Sequence, residues 1–71
     1  MAVAEAADVE QESWLDHQVG KVHFGAGHYA AAAGAFAKAL ELRVASGAPA
    51  TAIYSSTVAL RRARDLQDSG D

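Results

Sequence analysis

Between Ser13 and Ala26 the apolar residues Leu15, Val19, Val22 and Ala26 fall at i, i+4, i+7 and i+11, the period of a helix with one apolar side. Trp14, beside Leu15, widens that stripe. The stretch Gly25-Ala26-Gly27 ends it, because a glycine just past a helix end adopts the left-handed conformation without a β-carbon penalty. A second periodic run, from Tyr29 to about Val44, puts Tyr29, Ala32, Ala33, Phe36, Ala39 and Leu40 on a buried face and leaves Lys38 and Glu41 outside. Ser46-Gly47-Ala48-Pro49 is the second break, since proline fits only the first turn of a following helix. A third helix is expected over about residues 50–67, with Ala52, Ser56, Ala59, Ala63 and Leu66 in one stripe flanked by Ile53 and Leu60. So short a first turn makes the leading helices an antiparallel hairpin. The expected fold is all-α and three-helix bundle-like, a helical hairpin plus a third packing helix.

The ends lack this patterning. Residues 1–12 are acidic and alanine-rich without a clear apolar face, and are expected to be partly disordered before merging into the first helix. Residues 68–71 read as a polar tail, which leaves one domain over 13–67. A chain of 71 residues has a marginal core, burying only about 60% of its unfolded surface. It contains no cysteine, hence no disulfide or thiolate metal site to reinforce that core, a composition that fits a reducing cytoplasm. Pairing with another protein is the remaining source of buried area. Alanine supplies half of the apolar residues, as in helices that pack closely and in chains from GC-rich bacterial genomes. No apolar run approaches the length of about 18 residues that a membrane span needs. A net charge of −3 argues against nucleic acid as the main partner.

The hairpin sequence resembles a tetratricopeptide repeat, a 34-residue helix–turn–helix read W-x2-L-G-x2-Y…A-x3-F…P. Val19-Gly20 stands in the Leu-Gly slot, Ala32-x3-Phe36 in the A-x3-F slot, Gly27-His28-Tyr29 forms the glycine–aromatic turn, and Ala39-Leu40-Glu41-Leu42 resembles the usual ending of the second helix. Three slots depart from the pattern: Asp16 replaces the tryptophan, His23 the tyrosine, and Val44 the terminal proline. The resemblance covers residues 13–44, and residues 50–67 resemble the first helix of a further repeat. It implies a docking surface with Gly27, Tyr29, Ala32, Phe36, Ala39 and Leu40 as structural positions. It also implies a groove between the first and third helices lined by Asp16, Val19, Gly20, His23 and Phe24, able to hold a peptide or partner helix.

Candidate chemistry is sparse. His17, His23 and His28 are not spaced as i, i+4 ligands on one helical face, so no metal or other cofactor is expected. Ser55, Ser56 and Thr57 lack a histidine-plus-acid motif, and an enzyme working through His23 and Asp16 in a dimer cleft is the weakest alternative. Arg61, Arg62 and Arg64 supply half of the six basic residues and form a candidate docking patch for an acidic partner, with Trp14 and Tyr54 as candidate interface anchors. The expectation is a cytoplasmic protein–protein interaction module, an adaptor or regulatory subunit, or else an accessory protein of a bacterial enzyme or biosynthetic assembly. Val19, Phe24, Phe36, Ile53, Tyr54 and Leu60 exceed what three short helices can cover, so a homodimer is expected, without a nucleic-acid or membrane partner.

Overall fold

The computed structural model describes residues 2–69, with side chains from Glu10 onward. The chain forms three helices, α1 (Ala2–Gly25), α2 (Tyr29–Ala45) and α3 (Ala50–Ser69), and no strand among the described residues. α2 lies between the other two and packs along both. The all-α expectation therefore holds. None of the helices among the described residues is long and apolar enough to cross a membrane.

α1 starts well before Ser13: the acidic segment is helical from Ala2 and continuous with the rest of the element. Alanine and glutamate are strong helix formers, and acids in the first turns suit the positive end of the helix dipole. Asp68 and Ser69 complete α3, while Gly70 and Asp71 lie outside the described residues.

Both turns use one device. Gly27 and Gly47 take φ of 81° and 73°. The Gly27 amide donates to the Phe24 carbonyl at 3.1 Å and that of His28 to the His23 carbonyl at 2.8 Å. At the second turn Gly47 donates to Val44 at 3.2 Å and Ala48 to Arg43 at 2.9 Å. Each is a Schellman motif, which satisfies the last carbonyls of a helix through one left-handed residue. The Pro49 carbonyl then accepts from Ala52 and Ile53 and opens α3. Across the first turn, the rings of Phe24 and Tyr29 meet edge to face at 5.3 Å.

The core is built mostly of small residues. Ala32, Ala33, Phe36, Ala39, Leu60 and Ala63 are buried, together with the hydroxyl residues Ser13 and Ser56. Tyr29 and Leu40, expected inside, are half-buried, and Lys38 and Glu41 are exposed as the pattern required. In α3, Ser56, Leu60 and Ala63 are buried, and Ala52, Ile53, Ala59 and Leu66 are partly covered.

α1 corrects the sequence reading. Leu15, Val19 and Val22 are 48%, 48% and 71% exposed, and Trp14 and Ala26 are exposed as well. The side turned inward carries Ser13 and Gly20, with Asp16, His17 and Phe24 half-buried. Steric fit decides this. A β-carbon at Gly20 would stand 2.5 Å from Cε1 of Phe36, so the aromatic ring lies against the α1 backbone in space that any side chain at Gly20 would fill. Periodicity locates an apolar face but does not say which neighbour covers it.

Candidate functional site

The parallel helices α1 and α3 leave a groove between them, with α2 as its base. Its apolar floor is Phe24, Phe36 and Ala59, with Gly25 at one end, and His17, Lys21 and Arg62 bring polar and charged groups to it. Its volume is about 330 Å³, at the small end of ligand pockets and suited to one large side chain. The spacing of α1 creates it: His17, Lys21 and Phe24 fall at i, i+4 and i+7 on one side. The Arg62 guanidinium carbon lies 5.8 Å from the centre of the Phe24 ring, within cation–π reach. Neither Lys21 nor Arg62 forms an ion pair among the described residues; the pairs present join Lys38 to Glu12 at 3.7 Å and to Asp16 at 3.9 Å.

Beside the groove, a polar chain ties the three helices together. Arg43, near the end of α2, donates to the Ala52 carbonyl at 2.9 Å and to the Ser56 hydroxyl at 2.7 Å. Ser56 Oγ in turn lies 3.4 Å from His17 Nδ1. Because Arg43 donates to Ser56, the hydroxyl proton is free to point at an unprotonated His17 Nδ1. The His17 ring also packs on Phe36, centroids 5.2 Å apart. Burial lowers the His17 pKa below its ordinary 6.5, and the positive charges of Arg43 and Lys21 add to the shift. Both causes favour the neutral ring of His17, and Ser56 beside it is fully buried.

Of the five groove residues expected from the resemblance, only Phe24 lines this groove. Gly20 lies beneath the Phe36 ring, and Val19 points outward. Asp16 turns towards α2 and Lys38; its Oδ2 is buried with no hydrogen-bond partner among the described residues, and the 3.9 Å pair is its only compensation. His23 lies near His28 across the turn, ring centroids 6.1 Å apart. Asp16 and His23 are separated by about 10 Å of helix rise. Among the arginines, Arg62 reaches the groove, Arg61 and Arg62 flank Val58 and Asp65 on the outer side of α3, and Arg64 is exposed. Tyr54 is exposed near the start of α3.

The residues that sequence reasoning missed are His17, Lys21 and Arg43; Ser56 and Ala59 are expected on the inner stripe of α3, but not as part of this site. The first two are visible only if α1 is read around Gly20 as its inward position; Arg43 and Ser56 are joined through a contact that local spacing does not reveal. Among the described residues no three or more histidine, aspartate or glutamate side chains converge as a metal site. The Ser55 and Thr57 hydroxyls bond back to the carbonyls of Thr51 and Ile53, one turn earlier in α3. No protein-family model matches the chain, nor does any curated protein or solved structure.

Proposed function

We propose that this chain is a small protein–protein interaction module whose α1–α3 groove holds an acidic segment of a partner by one apolar anchor. One observation carries the reading: an apolar floor of Phe24, Phe36 and Ala59 is flanked by Lys21 and Arg62, which form no ion pair among the described residues. Burying an aliphatic or aromatic side chain on that floor supplies binding energy, and neighbouring carboxylates paired with the two cations supply orientation and on-rate. The resemblance of residues 13–44 to a tetratricopeptide hairpin supports the same class of work. Gly20 and Phe36, both in slots of that pattern, pack against each other between α1 and α2. In this reading the protein is an adaptor or regulatory subunit, and its three histidines contribute packing and polarity rather than turnover.

Selection of displayed random peptides on the purified protein tests it. Binders should carry one large apolar residue flanked by aspartate or glutamate. Lys21→Glu/Arg62→Glu should weaken them by at least about tenfold, or about 1.4 kcal/mol. Binders without acidic residues, or indifferent to both substitutions, would contradict the reading.

A further inference from the structure

The outer side of α1 is separate from the groove and carries a different pattern. Gln11, Leu15, Gln18 and Val22 follow one another at steps of four, three and four, the 3.5-residue spacing of a seam between two helices. Leu15 and Val22 on that seam are exposed, and Trp14 and Val19 beside it are exposed as well. α2 and α3 leave Gln11, Leu15 and Val22 exposed and Gln18 half-buried, because α1 turns Gly20 and Ser13 towards them. The helix is also polar along its length: Glu5, Asp8, Glu10, Glu12 and Asp16 all precede its only lysine, Lys21. Two such helices side by side in the same direction would lay acid against acid. Reversed, the acidic half of each, where Glu12 and Asp16 already face Lys38 of their own chain, lies at the Lys21 end of the other instead of against its acids, and their dipoles also oppose.

We propose that this seam is the contact between two copies of the chain, an antiparallel α1–α1 pair about a two-fold axis. The charge order along α1 complements its own reverse, which singles out a second copy as the occupant. One self-complementary surface serves both copies, so the assembly closes at two. Aligning the seams end to end sets Gln11 of one copy opposite Val22 of the other and Leu15 opposite Gln18. The groove lies around the other side of α1, so the dimer presents two grooves, and Lys21, at the groove edge, is the one residue that both readings use.

Sedimentation equilibrium across micromolar concentrations should show a monomer–dimer equilibrium with no larger species. Trp14, the only tryptophan, should shift its emission to the blue as the dimer forms. Leu15→Glu/Val22→Glu should raise the dissociation constant by at least about a hundredfold while leaving helicity intact. Orientation is read from single cysteines in this cysteine-free chain. Copies carrying Gln11→Cys should cross-link to copies carrying Val22→Cys, and Gln11→Cys copies should not cross-link to each other. A monomer at every concentration, a dimer indifferent to the two glutamates, open-ended oligomers, or Gln11→Cys self-cross-linking would each overturn the proposal.

Discussion

Alanine at Gly20 and alanine at Gly34 are the same chemical change inside two helices, and the structure requires opposite outcomes. At Gly34, on the exposed side of α2, an added β-carbon meets nothing within 4 Å. There the substitution should stabilise by about 0.5–1 kcal/mol, the difference in helix propensity and chain entropy between the two residues. At Gly20 the same carbon would stand 2.5 Å from Cε1 and 2.6 Å from Cδ1 of Phe36. To restore ordinary contact at 3.4 Å the ring must retreat by about 0.9 Å. It has little room, being 2% exposed with the His17 ring against it. Overpacking of this kind costs about 1–3 kcal/mol and outweighs the propensity gain, for a net loss of about 1 kcal/mol. The two variants should then differ by about 2 kcal/mol, or roughly 8–16 °C in Tm for a domain of this size. Thermal unfolding followed by far-UV circular dichroism, at one protein concentration, reads the difference. In a Phe36→Leu background the clash is relieved, and Gly20→Ala should become neutral or favourable. If both alanines raise Tm equally, α1 and α2 do not meet at Gly20, and the floor of the groove is wrongly placed.

Two further outcomes follow from the polar chain beside the groove. Arg43→Met removes both donated bonds and leaves the buried Ser56 hydroxyl with only the 3.4 Å contact to His17, a cost of about 1–3 kcal/mol read from the urea midpoint. Arg43→Lys should not restore it, because one ammonium cannot reproduce the guanidinium fork. The lowered His17 pKa means that the unfolded chain, titrating near 6.5, binds more protons than the folded one just below that value. Stability should be full above pH 6.5 and fall as the pH drops through 6.5 towards the folded pKa, and His17→Asn should flatten that part of the profile. An unchanged slope would mean that folding does not lower the His17 pKa.

Much of the fold is legible in the chain, and the reasons differ by element. In α2 and α3 the expected inward residues Ala32, Ala33, Phe36, Ala39, Ser56 and Ala63 are buried, with Leu60 beside their stripe, while Tyr29, Leu40, Ala52, Ala59 and Leu66 are partly covered, so pattern and packing largely agree. Both turns declare themselves through Gly27 and Gly47, whose positive φ follows from their place just past a helix end. α1 is misread because close packing, not apolarity, selects its inward side. Gly20 and His17 fit against Phe36 and Ser56, and Ser13 is buried on the same side, while Leu15, Val19 and Val22 are left outside. The groove inherits that error. Phe24 and Arg62 are found from type and position, whereas His17 depends on Ser56, 39 residues away, which no local spacing announces.

The most direct test of the central claim is affinity measured by calorimetry for one selected acidic–apolar peptide, on the wild type and on variants that divide the two surfaces. The account predicts that Ala59→Glu, which places a charge on the groove floor, and Lys21→Glu/Arg62→Glu each lower affinity at least about tenfold. Leu15→Glu/Val22→Glu, on the far side of α1, should leave binding per chain unchanged. A peptide whose affinity follows the outer stripe and ignores Ala59, Lys21 and Arg62 would contradict the claim that the α1–α3 groove is the recognition site.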